Sequence, residues 1–349
     1  MRTILNFIHN FGLINLFLIF FILLNLLTLT IYAIDKRQAM KNKQRIPEKV
    51  LLFFTWALGG IGALLGILFF KYKVVKWRFR VSLVAGLVIA VVPLVHVVHG
   101  LTLDRIIQFV EIDFYSKRWP EELAGYRIAF MSDMHAITDD EMAAVVKELN
   151  RRDIDLLLLG GDFHSDVFWG GNHYRGTVRE LSYQVATDGI FGVEGNHDLY
   201  YRLFDAKEYY GIGILDNSGL QIREGFFLAG VQDEWRRNPD IELATADTSS
   251  DDFILLVTHN PDVSMNQSTA HLDLIVAGHS HGGQITFFGW PFYLYRQSVT
   301  SYGTRFAHGF SYSADGVPVF TSRGVGPYYG WPRIFARPEV IIFTLHREV

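Results

Sequence analysis

Tyr126-Arg127-Ile128-Ala129-Phe130-Met131-Ser132-Asp133-Met134-His135 joins a short apolar run to two side chains able to ligate a metal. A run of this length that ends in turn residues reads as a strand buried on both faces. The same arrangement recurs downstream. Ile154–Leu159 leads into Gly160-Gly161-Asp162, and Ile190–Val193 into Glu194-Gly195-Asn196-His197-Asp198. Phe253–Val257 leads into Thr258-His259-Asn260-Pro261, and Leu272–Ala277 into Gly278-His279-Ser280-His281-Gly282-Gly283. Open α/β sheets place their sites outside the carboxyl ends of strands. Here each strand end delivers a carboxylate, an amide oxygen or an imidazole. Carboxylate and Asn oxygens suit Mn²⁺ and Mg²⁺, and imidazole extends the choice to Fe²⁺ and Zn²⁺. The glycines beside these residues permit tight turns close to an ion.

Helices are expected between the strands. Thr138-Asp139-Asp140-Glu141 has the form of a capping box, with Met142, Val145, Val146 and Leu149 following at helical spacing. Thr177-x-x-Glu180 has the same form, with Val178, Leu181 and Val185 placed on one helical face. Phe109–Tyr115 partly alternates apolar and charged residues, as a half-buried strand does.

The N-terminal third has another composition. The chain has 349 residues, half of them hydrophobic and only 19% charged. The missing charge is at the N-terminus, where residues 3–34 contain no Asp, Glu, Lys or Arg. Residues 11–34, 50–70 and 81–103 are apolar segments of the length a bilayer crossing requires, about 20 residues. The first is longer than a signal-peptide core and no small-residue cleavage site follows, so it reads as a retained span. Gly59, Gly60, Gly62 and Gly66 would let helices approach closely in lipid, and fit a re-entrant hairpin equally. His96 and His99 read as interfacial polar residues. The expected division is a membrane module over 1–104, with two to three apolar segments, and a catalytic domain over 105–349.

Connector charges bear on topology. Lys36, Arg37, Lys41, Lys43, Arg45 and Lys49 precede the second segment, and Lys71, Lys73, Lys76, Arg78 and Arg80 precede the third. The positive-inside rule puts both connectors in the cytoplasm. A re-entrant second segment satisfies that and leaves the C-terminal domain outside. The net charge of −4 and the lack of a long basic run in the catalytic part argue against a nucleic-acid partner. With no cysteine in the chain, disulfides and thiolate metal sites are excluded.

Asp133-x-His135, Gly161-Asp162, Gly195-Asn196-His197-Asp198, the lone His259 and Gly278-His279-x-His281, in this order, resemble the calcineurin-like metallophosphoesterases. The tail Gly278–Gln284, with Ser322-Arg323-Gly324-Val325-Gly326 and Arg337-Pro338-Glu339, is similar to the YkuE-like branch of membrane-attached phosphodiesterases. Similarity extends to enzymes that cleave UDP-2,3-diacylglucosamine. Asp35-Lys36-Arg37-x-x-Met40 and Arg45-Ile46-Pro47-Glu48-Lys49, within residues 20–85, resemble a short bacterial membrane domain of unknown function.

The resemblance implies an α/β fold, a four-layer α/β/β/α sandwich, preceded by a helical membrane module. It implies two divalent metal ions (Mn, Fe, Zn or Mg). Asp133, His135 and His281 would hold the first, Asn196, His259 and His279 the second, and Asp162 would bridge them. His197 would be catalytic without binding metal, with Asp198 orienting it. A hydroxide shared by the ions would attack a phosphodiester, pyrophosphate or phosphomonoester, with a diester preferred. A lipid-linked or nucleotide–lipid substrate and the lipid bilayer are the expected partners. The expected location is the bacterial inner membrane, multi-pass, with the catalytic domain extracytoplasmic. The other reading is a non-catalytic metal-binding membrane scaffold.

Each block alone has an ordinary explanation, such as a turn cap or a core histidine; it is their joint order that counts. Arg323 suits either a phosphate or a structural ion pair. His164 could face the site, although loop position is the commoner reason for such a residue. Phe168, Trp169 and Tyr174 could form an apolar lip. His173, His271 and His308 read as ordinary.

Overall fold

The structure is a computed structural model that describes residues 2–70, 76–135, 137–163, 173–198, 210–235, 237–292, 299–327 and 332–348. The chain divides into two compact units, Met1–His99 and Gly100–Val349.

The first unit is helical. It contains α1 (Arg2–Met40), α2 (Glu48–Phe54), α3 (Gly60–Phe69) and most of α4 (Trp77–Leu101). Among the described residues three stretches, Asn15–Met40, Glu48–Phe69 and Trp77–Arg105, are long and apolar enough to cross a membrane. The second is interrupted between α2 and α3, where Leu58 has φ 68°. An interrupted helix frees backbone groups that lipid cannot satisfy. Asn25 supplies the partners: its amide donates to the Leu58 carbonyl at 3.0 Å, and its oxygen accepts from the Gly62 N–H at 2.8 Å. The expected close approach at the glycines is present, since a Cβ on Gly66 would meet Tyr32 Cβ at 2.7 Å. Asp35 pairs with Arg45 and accepts from the Ile46 N–H at 3.0 Å, tying α1 to the following turn. His96 bonds the Val92 carbonyl at 2.7 Å within its own helix.

The second unit holds two six-stranded sheets. The first has the order β1 (Gln108–Ser116), β12 (Glu339–Arg347), β2 (Tyr126–Met131), β3 (Leu156–Leu159), β4 (Ile190–Gly192), β5 (Gly213–Ile214). The second has the order β10 (Gly309–Tyr312), β11 (Pro318–Thr321), β9 (Leu274–Ala277), β8 (Phe253–Val257), β7 (Phe226–Gly230), β6 (Ser218–Arg223). Within the first sheet β2, β3 and β4 run parallel, and within the second β7, β8 and β9 do.

Alternation along the strands builds the layers. Ile128, Phe130, Leu156 and Leu158 join Phe253, Leu255, Val257, Leu274 and Val276 in the core between the sheets. Ala129, Met131, Leu157 and Leu159 face the other way, onto α5 (Asp139–Leu149) and α6 (His173–Leu181). Phe227, Ala229, Ile254 and Leu256 pack outward against Ile241, Ala244 and Val263 from short helices. This is the expected α/β/β/α sandwich. It explains why β3, β8, β9 and the Ile128–Met131 part of β2 read as unbroken apolar runs: both faces are covered.

The capping box of α5 forms as expected, with the Thr138 hydroxyl accepting from the Glu141 N–H and the Glu141 carboxylate accepting from the Thr138 N–H. Thr138→Ala should cost about 1 kcal/mol, read as a lowered midpoint of thermal unfolding with activity unchanged. The second expected box does not form. α6 begins at His173, so Thr177 lies inside it, and the helix ends at Leu181, which leaves Val185 74% exposed. The Thr177 hydroxyl is buried with no described hydrogen-bond partner, while Val178 and Leu181 pack with Met142, Val145 and Leu149 of α5, so packing outweighs the lost cap.

Candidate metal centre

The carboxyl ends of β2, β3, β4, β8 and β9 carry the blocks singled out from the sequence. The turns after them are strained at the ligand positions themselves. Asp133, His135, Asp162, His279 and His281 have φ of 52°, 40°, 55°, 71° and 52°. Positive φ costs a non-glycine residue on the order of 1–3 kcal/mol and persists only where surroundings impose it. Here the turns impose it on each other. Asp133 N–H donates to the Gly161 carbonyl at 2.9 Å, Met134 and His135 N–H to that of Asp162, and Gly278 N–H to that of His259. Gly161 has φ 85°, and a Cβ there would lie 2.6 Å from the Gly195 nitrogen, so only glycine lets the β3 and β4 turns meet.

The side chains so presented are buried and converge. Asp133, His135 and His281 offer three ligand atoms within 4.8 Å of one another, and so do Asp133, Asp162 and His259. Asp162 Oδ2 lies 3.3 Å from His135 Nε2 and 3.2 Å from His259 Nε2, between the two groups. His281 Nε2 is 3.4 Å from Asp133 Oδ1 and 3.1 Å from His135 Nε2. His259 Nε2 is 3.0 Å from Asn196 Oδ1 and 3.2 Å from His279 Nδ1.

The tautomers decide what these short separations mean. His259 Nδ1 lies 2.7 Å from the Gly160 carbonyl and His279 Nε2 lies 2.9 Å from the Val299 carbonyl. A carbonyl only accepts, so both nitrogens carry hydrogen, and in the neutral rings that metal ligation requires the opposite nitrogens present lone pairs. In that neutral form His259 Nε2, His279 Nδ1, Asn196 Oδ1 and Asp162 Oδ2 face one another as acceptors. Two ligands about 2.1 Å from one cation and about 90–110° apart are separated by about 3.0–3.4 Å, which is the spacing found. The donor set fits a pair of divalent cations. The carbonyl partners of His259 and His279 are the usual means of fixing a ligating imidazole.

Charge supports the same conclusion. Burial alone would raise the Asp162 carboxyl, but the His259 and His135 imidazoles hold it well below the ordinary carboxylate range. Burial lifts Asp133 to about 6 against the pull of His259. Burial would lower His259, and Asp162 overrides it and holds the ring well above its ordinary value. Without a cation, His259 carries the positive charge that the buried carboxylates demand; a bound cation takes over that role.

His197 is buried, its N–H donates to Asp162 Oδ1 at 2.9 Å, and its ring stands edge-on to His135 at 5.2 Å between centroids. It belongs to neither group of ligands. Asp198 is buried as well. Its described bonds run to main-chain N–H groups, of Asp162 at 2.7 Å, Gly195 at 2.8 Å and Phe163 at 2.9 Å. It clamps the β3 and β4 turns together.

Arg323 turns inward. Its guanidinium pairs with Glu339 Oε2 at 2.8 Å, and its N–H donates to Oε1 at 2.9 Å. This is a structural ion pair, one of the two roles that suit Arg323. Removing one member of a largely buried pair leaves the other uncompensated, so Arg323→Ala should cost about 3 kcal/mol, seen in thermal or urea unfolding, with KM for a phosphoester unchanged. His271 bonds Thr245 at 2.9 Å away from the centre, and His308 lies 3.4 Å from the Arg323 guanidinium. His164, Phe168 and Trp169 lie outside the described residues, and the side chains of His173 and Tyr174 are likewise not described.

Two residues at the centre escaped the sequence reading. Arg333 is buried and donates to the main-chain carbonyls of His281, Arg323, Gly326 and Ala336, which ties the His281 turn to the 323–326 turn. Trp235 stands edge-on to His279 at 4.5 Å between centroids. Neither belongs to a motif. The Gly-rich tail did carry a usable signal: Val325 and Gly326 N–H groups bond the carbonyls of Ser132 and Asp133. Gly324 has φ 73°, where a Cβ would lie 2.6 Å from that of Asp133.

Comparison with known proteins agrees with this geometry. Residues 25–79 match a family described as a protein of unknown function, DUF1294, and residues 126–283 match the calcineurin-like phosphoesterases. An uncharacterized metallophosphoesterase of Helicobacter pylori strain J99 is 27% identical over 245 residues, 67% of this chain and 62% of the relative, so the match spans under two thirds of that relative's length. The uncharacterized metallophosphoesterase YkuE of Bacillus subtilis is 27% identical over 261 residues, 69% of this chain and 86% of YkuE. Phosphodiesterase YaeI of Escherichia coli is 27% identical over 252 residues, 64% of this chain and 84% of YaeI. From the ordered strand-end motifs, the paired donor groups and the family match together, the domain over residues 126–283 belongs to the calcineurin-like phosphoesterases.

Proposed function

We propose that the chain is a membrane-anchored, metal-dependent phosphohydrolase that prefers a phosphodiester or pyrophosphate to a phosphomonoester. The observation that carries the reading is the cluster of buried acceptors around Asp162, with His197 beside it and outside both ligand groups. Asp133, His135 and His281 would hold one divalent ion and Asn196, His259 and His279 the other, with Asp162 shared. Bound ions would supply Lewis acidity toward the phosphoryl oxygens and toward a water. The protein's own part is to hold the acceptors in place and to keep a proton at His197 for the leaving oxygen. The Gly160 and Val299 carbonyls keep the ligating imidazoles in the required tautomers. The phosphodiester preference draws on the relative named as a phosphodiesterase.

The membrane reading draws on the three stretches of spanning length. It places the chain in the bacterial inner membrane as a multi-pass protein with the catalytic domain outside, and a lipid-linked phosphate or nucleotide–lipid pyrophosphate as substrate. The test is direct. Detergent-purified protein loaded with Mn²⁺ is offered bis-(p-nitrophenyl) phosphate, the corresponding monoester and a UDP-linked lipid. Hydrolysis of the diester faster than the monoester is expected. Two bound ions with no hydrolysis of any of the three would overturn the enzymatic reading in favour of a scaffold.

A further inference from the structure

Phe287, Phe288, Trp290 and Phe292 are all between 47% and 57% exposed, in a run of six residues. Such a concentration of bare aromatic surface marks an interaction site. The segment is a tight hairpin: Phe287 N–H donates to the Trp290 carbonyl at 2.9 Å, and Trp290 N–H to that of Phe287 at 3.0 Å. The two residues at its tip, Phe288 and Gly289, both have positive φ, 50° and 88°. Such turns favour Asn or Gly at the first of these positions, and a bulky side chain there is strained. The fold thus accepts strain to hold an aromatic ring at the tip.

The base of the hairpin is fixed to where the chain leaves its third apolar stretch. Thr286 N–H donates to the Ile334 carbonyl at 2.9 Å, and the Phe288 ring lies 5.2 Å from that of Phe335. Phe335 N–H donates to the Asp104 carboxylate at 2.7 Å, three residues beyond the end of α4. Leu103 and Ile106, on either side of that anchor, are themselves exposed. Aromatic rings are favoured at the headgroup level of a bilayer, which is also where a spanning helix emerges.

We propose that the Phe287–Phe292 hairpin is an interfacial anchor that seats its aromatic side chains in the headgroup region of the lipid bilayer. The hairpin follows the His281–Gly283 turn, so the metal centre is held within about 20 Å of the lipid surface by the reach of six residues. The inference rests on the reading that Trp77–Leu101 crosses the bilayer and does not depend on turnover.

The absence of cysteine makes the test clean. The full chain carrying W290C or F287C is labelled with a polarity-sensitive fluorophore and placed in nanodiscs of phosphatidylcholine and phosphatidylglycerol. V88C, on the exposed face of α4, reports the span, and V185C, in the loop after α6, reports water. Labels at 290 and 287 should lose emission to spin-labelled lipid, as the label at 88 does, and resist aqueous iodide. Iodide quenching at 290 and 287 equal to that at 185, with 88 in lipid, overturns the anchor alone. A water-exposed label at 88 overturns the span and the anchor with it. Either of two positions suffices if the other variant misfolds.

Discussion

Asp162→Asn should lower hydrolysis by more than about 100-fold, since even residues one step removed from a metal typically cost 10–100-fold. It should also reduce the number of bound divalent ions. The Asp162 carboxylate is buried between His135 Nε2 and His259 Nε2, and its other oxygen accepts from the His197 N–H. An amide of equal shape keeps the packing. It removes the negative charge and presents N–H groups to imidazole nitrogens that would otherwise point at cations. Without metal the fold should also be less stable, because the buried carboxylate that holds His259 charged has been removed and leaves that ring uncompensated. Bound metal by mass spectrometry, hydrolysis rate and the unfolding midpoint separate these effects. A variant that still binds two ions and turns over normally would remove Asp162 from the centre.

His197→Ala should behave differently. Turnover is expected to fall about 10²–10⁴-fold, the range for general acid–base help, while metal content and KM stay near those of the parent. The ring belongs to neither ligand group, and its main chain is already held by Asp162 Oδ1. If His197 protonates the leaving oxygen, the loss should be smaller for p-nitrophenolate, which leaves without a proton, than for an alkoxide. Equal losses on both substrates would assign His197 to charge stabilisation instead. Unchanged turnover would exclude it.

Much of the frame was legible because its signals are local. Ile128–Met131 and Phe253–Val257 are apolar at every position because sheets and helices cover both faces, and each ends in a residue type that ordinary turns do not demand. Thr138 and Glu141 form their box within four residues. By contrast β12, which lies between β1 and β2, gave no sequence signal that tied it to them, because its partners are more than 200 residues earlier in the chain. Arg333 is similar: its four carbonyl acceptors come from turns separated in sequence. The Thr177 motif misled for the converse reason, being a local pattern that packing overrode.

Which residue types stand at which strand ends, and in what order, is written in the chain itself, as is an N-terminal third apolar enough for lipid. Those are properties of short windows, readable from side-chain chemistry and the period of the backbone. It took the folded chain to show that Asp198 clamps two turns, that Arg323 answers Glu339, and that imidazole, amide and carboxylate atoms from separate loops converge. Bond direction and tautomer depend on what stands opposite an atom, and in this chain the opposite atom is usually a hundred residues away or supplied by another turn.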